Sequence, residues 1–95
     1  MAKKYIVTRT QYRNSGTTAY NNNIPMTIAE LIEYYSYTLE KGASWAHEKG
    51  NRKINKNPKS IKSLITNLCN SENNAAQNGH ASCNFTYEEV IVLNK

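Results

Sequence analysis

Met26-Thr27-Ile28-Ala29-Glu30-Leu31-Ile32-Glu33-Tyr34-Tyr35-Ser36-Tyr37-Thr38-Leu39 is the stretch on which the fold turns, because here the apolar period changes from two to helical. Thr27 is a good N-cap and Glu30 stands three residues on, which completes a capping box; Met26 can staple onto Leu31. Ile28, Leu31, Ile32, Tyr35 and Leu39 then share one face. Gly42 either ends this helix or is carried through it toward Gly50, since a mid-helix glycine costs only ~1 kcal/mol. Upstream, Tyr5 to Arg13 is rich in β-branched and aromatic residues and predicts a strand. Asn14-Ser15-Gly16 predicts a turn and Thr17 to Tyr20 the returning strand. Downstream, Asn57-Pro58 predicts the start of a second helix, with Asn57 as cap and Pro58 in its first turn. Its apolar stripe is Ile61, Leu64, Ile65, Leu68, Cys69, Ala75 and Ala76, interrupted by Glu72, and Asn78-Gly79 predicts its stop. Ser82 to Leu93 alternates as a last strand, with Cys83, Phe85 and Tyr87 on one side and Asn84, Thr86 and Glu88 on the other. The order β-β-α-α-β predicts an α+β fold, a small antiparallel sheet with two helices packed on one face.

Ninety-five residues make one domain, 1–95, with no repeat and no dividing linker. Twelve Lys+Arg against seven Asp+Glu leave a net charge of +5 and a pI near 9.3, which favours anionic partners. The apolar runs are too short to span a bilayer, and no apolar signal core follows the basic start, so a cytoplasmic protein is expected. Cys69 and Cys83 lack metal-ligand spacing, and His47 and His80 are the sole histidines. Two reduced thiols fit this best, with a Cys69–Cys83 disulfide or a Cys/His zinc site as the alternatives. The fourteen asparagines are read as the mark of an AT-rich coding genome.

The segment Lys49 to Lys62 carries six positive charges and no acid. It leads into a helix start, where free N–H groups and the helix dipole favour an anion. The alternative is a solvated basic loop that binds nothing in particular. Tyr34 and Tyr37 lie three apart on a helix face turned away from Leu31, Tyr35 and Leu39, which suits subunit contact; otherwise they lie flat on the surface. Arg9 and Arg13 share strand parity while Tyr12 points oppositely, a mixture that can hold phosphates and stack bases or can be the wet side of an edge strand.

Catalytic readings fail on inventory. His47-Glu48 has no second histidine at metalloprotease spacing. Cys83 with His80 has no marked orienting group or oxyanion site. Glu88 and Glu89 are adjacent on a strand and face opposite ways. A non-enzymatic binding protein without cofactor or metal is expected.

Trp45-Ala46-His47-Glu48-Lys49-Gly50-Asn51-Arg52-Lys53-Ile54-Asn55, Pro58-Lys59-Ser60-Ile61-Lys62-Ser63-Leu64 and Asn73-Asn74-Ala75-Ala76-Gln77-Asn78-Gly79 resemble the small phage-encoded Thoeris anti-defence sponge family. The resemblance runs from the first strand to Thr86. It implies a protein that captures the cyclic ADP-ribose isomer made by a bacterial TIR-domain protein and holds it intact, so that the downstream effector stays silent. It also implies homo-oligomers with pockets between protomers, and in some members binding of cyclic oligonucleotides. A late Asn-x-Thr strand pattern associated with the pocket falls on Asn84-Phe85-Thr86, and Arg52 becomes the candidate pyrophosphate contact. Arg9, Arg13, Lys49 and Lys53 complete the expected ligand set, with Tyr34 and Tyr37 at the oligomer interface. The family's additional arginines near the C-terminus have no counterpart at Asn94-Lys95, which leaves base stacking unassigned. Two other readings share the charge: a small nucleic-acid-binding module, and a protein-binding inhibitor that covers an acidic host surface.

Overall fold

Strand β1 (Lys4–Arg13) is central in a three-stranded antiparallel sheet of order β2-β1-β3, flanked by β2 (Gly16–Asn21) and β3 (Cys83–Val90). The computed structural model describes residues 3–13, 16–47, 49–76 and 83–91, without the side chains of Arg13 and Ala76. The expected turn residues Asn14 and Ser15, the helix stop Asn78-Gly79, His80 and the strand ends Ser82, Val92 and Leu93 lie outside the described residues. Thr8–Arg13 pair with Asn21–Gly16, and Lys4–Gln11 with Val90–Cys83. Every residue of β2 is exposed, whereas Cys83 and Phe85 of β3 are buried between exposed Asn84 and Thr86. That alternation marks one sheet face as covered and the other as open.

The helices cover the face that carries Tyr5, Val7, Cys83 and Phe85. Helix α1 (Ile28–Tyr34) opens on the full capping box: Thr27 Oγ1 accepts from the Glu30 N–H at 3.2 Å, and Glu30 Oε1 accepts from the Thr27 N–H at 2.8 Å. That bond from the Thr27 amide is the main reason the Glu30 carboxyl lies below its ordinary range. Met26 packs on the core that contains Leu31, as the staple requires.

The first predicted helix is not continuous. It breaks at Tyr35, within the run Tyr34-Tyr35-Ser36-Tyr37 of middling helix formers, and resumes as α2 (Ser36–Ser44). Tyr35 is both C-cap and N-cap, and its ring packs edge-on to Phe85 at 5.8 Å. Gly42 does not end the helix. A Cβ there would stand 2.2 Å from Ser71 Oγ and 2.6 Å from Ser71 Cα, so the glycine lets α2 approach α3 (Ile61–Ala76) closely. Leu31, Leu39, Leu64 and Leu68, each at most 1% exposed, fill the space between helices and sheet. Each contributes roughly 1.5–3 kcal/mol through burial.

The start of α3 also differs from the sequence reading. The cap is Ser60, whose Oγ accepts from the Ser63 N–H at 3.1 Å; Pro58 lies before the helix, buried. Asn55 Oδ1 instead accepts from the Asn57 N–H at 2.9 Å, an Asx turn that leads the chain into the cap. Asn57 is thus the end of a turn.

Asparagine amides take over where backbone pairing stops. The β1–β2 ladder ends at Thr8↔Asn21, and the buried Asn22 side chain then accepts from the Val7 N–H and donates to the Tyr5 and Ile24 carbonyls. The two-sided amide stands in for a peptide unit. Cys69 and Cys83 are free thiols, which settles against the disulfide, and the described residues hold no cluster of three or more His, Cys, Asp or Glu suited to a metal. No helix among the described residues is long and apolar enough to cross a membrane.

Candidate functional site

The basic segment does not gather at one helix end. It runs back along α3, so that Arg52 lies level with Asn74 and Asn55 level with Asn67. Ser63, Asn67, Ser71 and Asn74 form a polar row on α3 at helical spacing. Asn74, only 1% exposed, accepts from the Arg52 N–H at 3.0 Å and donates to the Arg52 carbonyl at 2.8 Å and the Gly42 carbonyl at 3.1 Å. Asn67 accepts from the Asn55 N–H at 2.7 Å and donates to the Ser63 carbonyl at 2.7 Å. Two neutral amides therefore hold the loop by its backbone. The side chains of Lys49, Arg52, Lys53 and Lys59 remain exposed, with no acidic partner among the described residues. Lys56 is the exception, paired with Glu40 at 3.2 Å.

Asn84 and Thr86 occupy the open sheet face, in the row opposite to Cys83 and Phe85. Their β1 partners are Thr10 and Thr8, which gives that face a polar strip. Asn84 Oδ1 also accepts from the Cys69 thiol at 3.6 Å, over the sheet edge. The helix layer and its loop lie on the other side of the sheet. Among the described residues no hydrogen bond joins Arg52 to Asn84 or Thr86.

Arg9 is in a third place. It belongs to the central strand and to the inward row of Tyr5 and Val7, so it is not on the wet side of an edge strand. Its Nε lies 3.4 Å from Glu72 Oε1, and its Nη1 donates to Gln11 Oε1 at 3.1 Å. Around it opens a cleft of about 310 Å³ between β1, α2 and α3, lined also by Tyr37, Thr38, Lys41, Ser71 and Ala75. Beside Glu72 and Arg9, burial chiefly pushes the Cys83 thiol up to about 12, and the Glu72 charge adds to it, so the thiol is neutral at physiological pH. Burial likewise raises Tyr35 to about 12. The side chain of Arg13 lies outside the described residues.

Tyr34 and Tyr37 are both solvent-facing, at 52% and 76% exposure, but the break at Tyr35 separates their surroundings. Tyr34 stands edge-on to Tyr35 at 4.9 Å and lines a shallow groove with Met26, Glu30 and Glu33. Tyr37 stands at the Arg9 cleft.

Sequence reasoning missed Lys41, Gln11, Thr38 and Ser71 as cleft residues. The available signal was a pair of violations: Glu72 breaks the apolar stripe of α3, and Arg9 sits in the inward row of β1. Charges buried on facing elements are expected to meet. No protein-family model matches the chain, and no curated protein or solved structure matches it.

Proposed function

We propose that this protein binds an anionic cyclic nucleotide signal, a cyclic ADP-ribose isomer, and withholds it chemically intact, acting as a phage anti-defence sponge in the host cytoplasm. The observation that carries the reading is the backbone-held basic loop. Asn67 and Asn74 fix its course while Lys49, Arg52 and Lys53 stay free to meet phosphate. Each charge-assisted hydrogen bond to such a phosphate contributes about 1.5–3 kcal/mol. The resemblance to the Thoeris sponge family supports the choice of ligand.

Arg52 is held beside Asn74 on the helix layer, whereas Asn84 and Thr86 belong to the outward row of β3, so a single pocket using both is read as one shared by two copies. A homo-oligomer in which Arg52 of one protomer faces Asn84 and Thr86 of its partner satisfies this, with Tyr34 at the contact and Tyr37 left at the Arg9 cleft. Calorimetric titration with cyclic ADP-ribose isomers, followed by denaturation and chromatography, should return bound ligand unchanged. Arg52→Ala should weaken binding at least ~10-fold. Tyr34→Glu, which leaves the Arg9 cleft alone, should lower the mass seen by light scattering and lower affinity with it. Absence of heat with every cyclic nucleotide tried would refute the proposal.

A further inference from the structure

The Arg9 cleft is a candidate site in its own right, and it is complete within one chain. Two anchors orient the guanidinium: the Glu72 carboxylate beside Nε and the Gln11 carbonyl oxygen on Nη1. A guanidinium has five N–H bonds in a fixed fork. One faces Glu72, one goes to Gln11, and the Cys83 thiol also lies within hydrogen-bond reach of the guanidinium; the remaining donors find no oxygen acceptor among the described residues. The Arg9 side chain is 26% exposed, so those donors are held in a partly dry setting, where bonds to an anion are strengthened.

Lys41 on α2 is the second cation of the cleft, with no acidic partner among the described residues. Arg9 and Lys41 against the single carboxylate of Glu72 leave the cleft net positive, and the protonated Cys83 beside it adds no negative charge. The Thr38 hydroxyl offers a further polar contact. Tyr37, the most exposed of the tyrosines named here, presents a flat ring at the opening. A cleft of about 310 Å³ is at the small end of ligand sites, which run roughly 300–1,000 Å³. It suits one phosphate with one ring system.

We propose that this cleft binds a nucleoside monophosphate, with the phosphate between Arg9 and Lys41 and the base against Tyr37. The site is distinct from the loop that carries Lys49, Arg52 and Lys53, and it does not depend on oligomer formation or on the cyclic ligand proposed above.

Titration of the full chain with AMP, adenosine and inorganic phosphate, followed by amide chemical shifts and calorimetry, tests this. AMP should bind more tightly than either fragment, with the shifts centred on residues 9–11, 37–41 and 71–75. The Lys41 side chain makes no hydrogen bond or ion pair among the described residues, so Lys41→Ala should keep the melting temperature and weaken AMP about 10-fold or more, as loss of one charge-assisted bond implies. Tyr37→Ala should weaken AMP about 5-fold or more and leave inorganic phosphate unchanged, because only the base stacks. Lys62→Ala, with the same charge change on the exposed first turn of α3, should leave AMP binding as it was. No AMP binding at millimolar concentration overturns the proposal. So does equal weakening by Lys41→Ala and Lys62→Ala, which would mean diffuse attraction to a basic protein. Arg52→Ala separates the two sites: it should weaken the cyclic nucleotide and spare AMP.

Discussion

Replacing Asn74 by alanine should release the basic loop, and the size of the effect follows from three bonds. Asn74 holds the Arg52 N–H, the Arg52 carbonyl and the Gly42 carbonyl, at 3.0, 2.8 and 3.1 Å, from a position 1% exposed. Alanine removes all three partners at the junction of α2, α3 and the loop. At about 1 kcal/mol per bond, Asn74→Ala loses about 3 kcal/mol. A domain of this size shifts its melting temperature roughly 4–8 °C per kcal/mol, so the midpoint should fall by about 12–24 °C. Asn74→Asp should do worse, since it keeps the acceptor, loses both donations and brings a charge into the same buried place. Asn73→Ala is the control: the neighbouring side chain is exposed, and its loss should stay within about 0.5 kcal/mol. Urea unfolding followed by far-ultraviolet circular dichroism gives all three values. An Asn74→Ala protein within 0.5 kcal/mol of wild type would refute the claim that side-chain amides hold this loop.

Gly42→Ala should cost roughly 1–3 kcal/mol in the same assay, because its Cβ would meet Ser71 at 2.2–2.6 Å, backbone Cα included; a neutral result would mean that α2 and α3 do not approach so closely. Tyr35, raised from 10.0 to about 12 mainly by burial, holds its proton in the folded chain while an unfolded chain loses it, so stability should be full below pH 10 and fall as pH climbs toward 12. Tyr35→Phe should flatten that alkaline limb in a pH series of urea midpoints. With an aromatic disulfide reagent at pH 8, the half-buried Cys69 should react first, and the buried Cys83, raised to about 12, only as the chain unfolds; equal rates would contradict the burial assigned to Cys83.

The strands and the capped start of the first helix were legible because local signals agreed there, while the strand order was not. The period of two in Tyr5–Arg13, the capping box at Thr27 and Glu30 and the alternation around Phe85 each reflect one element's own needs. The open or misplaced readings fell where a residue serves a neighbour instead. Gly42 fitted either a helix stop or a mid-helix place, and its close approach to Ser71 of α3 accounts for the second. Asn57 before Pro58 has the chemistry of a cap, yet Asn55, two residues before it, makes the turn and Ser60, three residues after it, makes the cap. Arg9 fitted either a ligand contact or the wet side of an edge strand, because the strand order was open. Once β1 is central, its inward row must be accounted for, and Glu72 is the only interruption in the apolar stripe that faces it. Pairing those two violations would have found the cleft from sequence.

The asparagines carry the argument from fold to function further than the lysines do. Fourteen of them looked like a trace of base composition, but Asn22, Asn67 and Asn74 are buried and each ties backbone groups that no strand or helix ladder reaches. A loop with like charges at Lys49, Arg52 and Lys53 cannot be fixed by burying those side chains, because an unpaired buried charge costs far more than the fold can recover. Pairing each with a surface carboxylate would fix it weakly, at about 0–1 kcal/mol per pair, and would cancel the charge. A neutral amide bound to the backbone avoids both costs: it orders the chain and leaves the cations free. Ordered, uncompensated cations are what binding a small anion demands, since less side-chain and loop freedom is then lost when the ligand arrives. A loop built only for solubility has no need of buried asparagines beneath it.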